Sequence, residues 1–385
     1  MLLTPWKLMM LLAAAGLASG CFGVAEAPSP PAAPTGGGAG AAPATGTPPA
    51  AEEPAQEPVE AGVHTLAEKL RTPWAIAFAG EAIYISEREG SIVRVEADGT
   101  TKRKPVQLKE AAYPTGEAGF LGFVLAPDFE TSKSAYAYHT YEKGGRALNR
   151  VVRLEEREAE WVETDTLLEG IPGARVHDGG RLAFGPDGML YVTTGDAGEE
   201  ELAQDADSLA GKILRINPAG GASEDNPFPG SYVYSYGHRN PQGLAWTADG
   251  VMYAAEHGPS GQPGGHDEIN VVRPGGNYGW PHVYGDAEQE GTIGPLYHSG
   301  EPPAIAPSGI AADEAGRLYL ATLRGETLFQ FAPETNKLTP ILQGEGRLRD
   351  VAVRGGYLYV LTNNTDGRGS PAANDDRLLR LPLPK

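Results

Sequence analysis

One short unit recurs along most of this chain and limits what it can fold into. It is an apolar run, a tight turn, a second apolar run that usually carries tyrosine, and often a later strand with an arginine among apolar residues. The first copy reads TPWAIAFAGEAIYISEREGSIVRV from Thr72. The second opens as GFLGFVLAPDF at Gly119 and continues through AYAYHTY and NRVVRL. The third is GGRLAFGPDGMLYVTTGD, followed by GKILRI from Gly211. The fourth is PQGLAWTADGVMYAAEHG from Pro241, then DEINVV. The fifth runs from Pro307 as PSGIAADEAGRLYLATLRGETLFQF, and the sixth from Leu348 as LRDVAVRGGYLYVLT, with RLLRLPL near the end. Short β-prone runs bounded by Gly, Pro and Asp read as strands. The 3.6-residue period of a helical repeat is missing. Units at intervals of roughly 40–65 residues suit propeller blades with long inserted loops. The expectation is an all-β, six-bladed β-propeller with four-stranded antiparallel blades. A pair of β-sandwiches would not explain why one hairpin form recurs.

The third unit carries the first chemical signal. Pro186-Asp187-Gly188 is turn chemistry between Arg181–Gly185 and Leu190–Thr194. Residues equidistant from a hairpin turn lie side by side. His177 precedes Asp187 by ten residues and Asp196 follows it by nine, so the two meet at the open end of the hairpin. A carboxylate beside an imidazole fixes its tautomer and yields a usable general base. The alternative is a strand-end aspartate beside an ordinary loop histidine.

A propeller places the same end of every inner hairpin on one rim. The same counting brings Glu117 (second unit), Arg239 and Asn240 with the segment from Glu256 to Pro259 (fourth), Arg324 (fifth), and Arg347 and Arg349 (sixth) to the face that holds His177. The chain has 31 basic and 50 acidic residues, a formal charge of −19. Such a balance argues against a nucleic-acid partner, since there is no basic excess to neutralise phosphates. It also makes clustered arginines informative: a cleft of this kind wants a compact polyanion. Arg347 and Arg349 flank Leu348 and so share one side of a strand, although a solvated edge would look the same. Arg239-Asn240 stands between His238 and Pro241, where Asn-Pro turn formation is the competing explanation. The Gly/Pro-rich loop at Gly258-Pro259 can turn main-chain oxygens toward a hard cation such as calcium. Asp267-Glu268 fits a second cation site less well than a solvated pair. There is no zinc spacing and no phosphate loop before a helix.

The N-terminal segment reads as targeting and tether. Lys7, the mostly apolar run Leu8–Leu17, then small residues and Cys21 form a lipoprotein-type signal peptide over residues 1–21, with Cys21 as candidate lipidation site. It is the one cysteine of the chain, so no intrachain disulfide exists. Residues 22–61 are Ala-, Pro- and Gly-rich and lack the apolar content to fold, which predicts a disordered tether. Residues 62–385 are left for the propeller. The expected location is extracytoplasmic, with membrane contact only through the lipid.

These residues resemble the soluble pyrroloquinoline quinone (PQQ)-dependent sugar dehydrogenases, six-bladed propellers that include the glucose and aldose sugar enzymes. The similarity spans nearly all of the chain after the tether. It is strongest in GGRLAFGPDGMLYVTTGD, YGHRNPQGLAW and DEINVVRPGGNYGWP. It implies oxidation of an aldose to a lactone with PQQ and calcium as cofactors and electrons passed to an external acceptor. His177 then resembles the family's base, with Asp196 its carboxylate partner. Arg239 and Asn240 correspond to contacts at the reactive quinone carbonyl. Glu117, Arg324, Arg347 and Arg349 also fall at cofactor positions, the last two as a carboxylate clamp. Gly258 and Pro259 correspond to main-chain calcium ligands, and Glu268 and Tyr278 to positions near a further calcium. Glu117 and His257 stand where the glucose enzymes carry glutamine, and Ala304 falls near a threonine position, which favours the aldose sugar branch. The other readings are a calcium-dependent propeller lactonase or hydrolase and a non-catalytic ligand-binding propeller.

Overall fold

The computed structural model describes residues 62–261 and 264–384. The signal-like segment, Cys21 and the whole 22–61 tether lie outside the described residues. The described chain is nearly all β, with one helical turn at Phe129–Ser132 and one 3-10 turn at Glu200–Ala203.

The strands form antiparallel four-stranded meanders in chain order. The first comprises Pro73–Ala79, Ala82–Glu87, Ser91–Val95 and Thr101–Gln107. The second comprises Phe120–Leu125, Ser134–Lys143, Arg146–Glu156 and Trp161–Pro172. These two join into one eight-stranded sheet through a short parallel contact, Val106 beside Trp161 and Gln107 beside Val162. Trp161 explains the junction: it packs edge-on to Tyr84 and Phe123 and stacks on Phe129, gluing the outer parts of both meanders together. The third runs Leu182–Phe184, Leu190–Thr194, Lys212–Ile216 and Val233–Tyr236, and the fourth Pro241–Trp246, Met252–Glu256, Glu268–Val272 and Tyr297–His298. The fifth runs Pro307–Ala312, Leu318–Thr322, Thr327–Ala332 and Lys337–Gln343.

The last sheet departs from simple chain order. Leu348–Arg354, Tyr357–Thr362 and Leu378–Pro382 take their fourth strand from the start of the fold, His64–Ala67. Thr65 pairs with Leu379, so the two ends of the described chain close on each other. Four residues with one buried position give no periodic signal, so this strand was invisible to pattern reading. The opening strands pack in a cycle: Pro73–Ala79 on Phe120–Leu125, then Leu182–Phe184, Pro241–Trp246, Pro307–Ala312, Leu348–Arg354, and back to Pro73–Ala79.

Burial follows position within each sheet. Every residue of Ala82–Glu87, Leu190–Thr194, Met252–Glu256 and Leu318–Thr322 is buried. These second strands are covered on both faces, which is why each opens with consecutive apolar residues instead of an alternating pattern. Thr101–Gln107 has no buried residue and is charged accordingly.

One core group makes stability pH-dependent. His139 is fully buried; its Nδ1 lies 3.3 Å from the Thr140 carbonyl and its Nε2 has no partner. Burial lowers its pKa from 6.5 to about 3. Between those values the unfolded chain binds a proton that the folded chain does not, so stability falls as pH falls through this window. The penalty reaches about 2 kcal/mol by pH 5. The variant His139→Leu should lack this component. Denaturant titrations at pH 7 and pH 5 should show the variant gaining on the native protein at the lower pH; an unchanged difference would contradict the account.

Candidate active site

The site begins at the third meander. Leu182 pairs with Val192 and Phe184 with Leu190, a register centred on Asp187. The strand is shorter than Arg181–Gly185, because Gly179-Gly180 and Arg181 lead into it as irregular chain. Beyond it the chain keeps its pairing: Ala197 N–H donates to the His177 carbonyl over 3.1 Å. Gly195 is required here, since a Cβ at that position would collide with the same carbonyl. His177 itself sits at φ +58°, a left-handed conformation uncommon for a side-chain-bearing residue. It aims the ring at Asp196, whose Oδ1 lies 2.8 Å from His177 Nδ1.

The surroundings assign the tautomer. Asp196 is fully buried and also accepts from Gly198 N–H at 2.7 Å and Trp280 Nε1–H at 2.8 Å. Arg239 Nη2 donates toward His177 Nε2 over 3.0 Å. A guanidinium only donates, so Nε2 carries a lone pair and Nδ1 the proton, which goes to the carboxylate. The Nε2 lone pair is engaged by the Arg239 guanidinium in this structure and faces the cavity that both residues line.

Arg239 is delivered by the turn before the fourth meander. Gly237 takes φ +75°, the Arg239 N–H binds Glu256 Oε1, and Pro241 opens the strand where no donor is needed. The guanidinium is buried against the Trp280 ring at 5.3 Å and reaches Ser260 Oγ at 2.8 Å. Burial lowers its pKa, with Asp196, Glu117 and Glu256 opposing that effect. Asn240, fully buried, accepts from Gly179 N–H at 3.0 Å and so ties this turn to the His177 segment, while its Nδ2 is unpartnered.

His177 and Arg239 open onto a cavity of about 540 Å³. Glu117, His257, Gly258, Pro259, Asp267, Ala304, Arg324, Arg347 and Arg368 complete most of its wall. Arg324 is exposed, and its guanidinium pairs with no described residue. Arg347 is buried and held at both Nε and Nη2 by Asp366 Oδ2, at 3.0 and 2.8 Å. Arg349 stands apart from this wall. It lines a smaller adjoining space with Arg88, Gln242 and His257, where it donates to Gln242 Oε1 at 2.8 Å. Burial lowers it to about 9, so it is charged at neutral pH, and its Nε is unpartnered. The two arginines expected side by side therefore line two adjoining spaces, Arg347 the large cavity and Arg349 the smaller one. Burial alone would raise the Glu117 carboxyl, yet His257, Arg368 and the His177 amide hold it at about 2.

The cation positions separate in the same way. The carbonyls of Gly258 and Pro259 accept no hydrogen bond from a described residue, and both residues line the large cavity. Asp267 is buried rather than solvated: it accepts from Gly258 N–H at 3.0 Å and from Ile305 and Ala306 N–H at 2.6 and 2.8 Å, clamping two loops of the wall. Glu268 is also buried, and burial plus Glu256 raises it to about 8. The solvated-pair expectation fails because Asp267 and Glu268 face loop amides and an inner pocket rather than water. A cation at Glu268 would have to displace its proton. The Tyr278 hydroxyl is committed to the main chain, donating to Val271 at 2.6 Å and accepting from Arg273 at 2.8 Å. Among the described residues no group of three or more His, Cys, Asp and Glu converges as a metal site. The donor set fits a compact polyanion at the arginines and a hard cation held mainly by main-chain oxygen.

Sequence reading missed Trp280, Asp366 and Arg368. None has a local signature; each is recruited from a long loop by contact with a residue far away in the chain.

Cyclically packed β-meanders with a carboxylate-paired histidine and several arginines at one cavity are consistent with a propeller-type protein. The chain belongs to the Glucose / Sorbosone dehydrogenase family, whose model matches residues 70–380. It is 32% identical over 348 residues to the aldose sugar dehydrogenase YliI of Escherichia coli, covering 80% of this chain and 92% of that one. It is 34% identical over 260 residues to quinoprotein glucose dehydrogenase B of Acinetobacter calcoaceticus, covering 59% and 53% respectively. The PQQ-bound structure of aldose sugar dehydrogenase from Streptomyces coelicolor is similar with a TM-score of 0.76 at 41% identity, covering 84% of this chain and 99% of that one.

Proposed function

We propose that this protein is a PQQ- and calcium-dependent aldose dehydrogenase that oxidises sugars at the anomeric carbon to lactones and passes the electrons to an external acceptor. The observation that carries the reading is the unprotonated His177 Nε2, set by Asp196, at the wall of a cavity that also presents Arg239, Arg324 and Arg347. Family membership and the PQQ-bound relative support it.

Arg324 and Arg347 would hold the carboxylates of PQQ, with Arg349 adding positive charge from the adjoining space. Arg239 and Asn240 would face its carbonyl edge. The carbonyls of Gly258 and Pro259 would hold calcium, which supplies Lewis acidity there. Bound in this seat, PQQ supplies the two-electron acceptor for the hydride that leaves the anomeric carbon. His177 Nε2 takes the proton of the anomeric hydroxyl. Asp196 keeps the ring oriented and stabilises the imidazolium that results. Arg239, drawn to the anionic guest, leaves Nε2 free for the sugar and offsets negative charge nearby. Loss of one proton and one hydride converts the aldose to its lactone.

We also propose that the meanders form a six-bladed propeller over residues 62–385, a reading supported by the cyclic packing of their opening strands. It would be carried extracytoplasmically by the 22–61 tether behind lipidated Cys21. No helix of the described residues is long and apolar enough to cross a membrane. Metabolic labelling with a fatty acid should mark the native chain and not Cys21→Ser; equal labelling would reject the anchor.

The test of the activity uses purified protein incubated with PQQ and calcium, followed by dye reduction across a panel of aldoses. Reduction should require both additions, fall at least tenfold when a chelator withdraws calcium before PQQ is added, and yield lactone in proportion to dye. Absence of reduction with every aldose, in protein that remains folded, would reject the dehydrogenase.

A further inference from the structure

The base is tied to the anion seat through residues that the chemistry above does not use. Arg347 grips Asp366 Oδ2, and Asp366 Oδ1 accepts the Arg368 main-chain N–H at 2.8 Å. Arg368 Nη1 then donates to Glu117 Oε1 at 2.7 Å, across 251 positions of sequence. Glu117 Oε2 accepts the main-chain N–H of His177 at 3.1 Å. The last link meets the base at its backbone, where φ is +58°.

We propose that Glu117 is a positioning residue for His177 and that Arg368 is its clamp, the two forming a strap that holds the base's left-handed backbone against the turn at Asp366–Arg368. A carboxylate accepting an amide N–H is a strong hydrogen bond. It is placed on the peptide that leads into His177, whose rotation would swing the ring off Asp196. The opposite side of that residue is already fixed by Ala197 N–H and by the close approach of Gly195. Releasing Glu117 leaves a backbone conformation that a side-chain-bearing residue readily abandons. Arg368 is about half exposed, so its part is to orient the carboxylate rather than to build the core. A glutamine at position 117 retains an oxygen for the amide, so the strap asks for an acceptor, while the charge serves Arg368.

This inference rests on His177 as the base, but its first test does not need the loaded enzyme. Hydrogen exchange at the His177 amide, read by peptide-resolved mass spectrometry on cofactor-free protein, should speed up on the order of tenfold or more in Glu117→Ala. It should stay near native in Glu117→Gln and lie between the two in Arg368→Gln. In the PQQ- and calcium-loaded protein, Glu117→Ala should lower kcat on the order of tenfold with KM within about twofold, and Glu117→Gln should restore most of the loss. Unchanged exchange in Glu117→Ala would overturn the strap, as would a rise in KM at constant kcat, which marks a simple guest contact. If the native protein oxidises no sugar, the dehydrogenase reading fails, while the exchange rates still decide the strap.

Discussion

Replacing His177 with alanine should lower kcat for aldose oxidation by about 10²–10⁴-fold, the usual worth of a positioned general base. That corresponds to roughly 3–5 kcal/mol of transition-state stabilisation. The effect should fall on kcat, because in the proposed reaction the ring meets the reacting hydroxyl while Arg324 and Arg347 of the same cavity would seat the anion. Affinity for PQQ, read by fluorescence titration of the apoprotein, should change by less than about tenfold. Removing the ring also frees Arg239 Nη2, which keeps Ser260 as a partner, so no buried cation is stranded. A variant that turned over at the native rate would exclude His177 as the base.

The second large effect is expected from Asp196→Asn, for a reason of hydrogen-bond polarity. The carboxylate accepts from three donors: His177 Nδ1 and Gly198 N at one oxygen, Trp280 Nε1 at the other. An asparagine has one oxygen and one NH₂ group. If its oxygen faces His177, the NH₂ opposes the Trp280 N–H. If it flips, the NH₂ faces His177 and drives the ring proton to Nε2, which destroys the base. Either arrangement buries a donor against a donor, at a cost of about 1–3 kcal/mol in stability. The imidazolium also loses its counter-charge. We expect kcat to fall about 10²–10³-fold, with a lower thermal midpoint. Steady-state kinetics and a thermal melt on the same preparation check both parts. Native kcat in Asp196→Asn would show that the carboxylate neither orients nor charges the histidine.

Much of this site could be read from the chain because antiparallel hairpins obey simple arithmetic. Counting outward from Asp187 put His177 beside Asp196, and the structure places them 2.8 Å apart. The same logic gathered Glu117, Arg239, Arg324 and Arg347 at one cavity. Counting fixes which end of a sheet a residue occupies, but not its depth, and Arg349 shows the difference. A bulge after Leu348 shifts the register, and Arg349 reaches Gln242 in a smaller adjoining space instead of the large cavity. Asp267 and Glu268 looked solvated because a carboxylate pair usually is; they are buried because loop amides far along the chain supply their partners. Trp280 and Arg368 sit on loops whose paths follow from tertiary contact alone, so no period or turn signal marks them. The closing strand His64–Ala67 was hidden for the same reason: its pattern has meaning only beside Leu378–Pro382.

The proposed chemistry requires the arginine-lined cavity to be the seat of the quinone, with His177 at its edge. A crystal structure of the protein grown with PQQ and calcium tests this most directly. The prediction is one PQQ per chain within the cavity, its carboxylates on Arg324 and Arg347, calcium on the Gly258 and Pro259 carbonyls, and its quinone edge facing His177 Nε2. PQQ bound elsewhere on the surface, or an unfilled cavity at saturating PQQ, would contradict it.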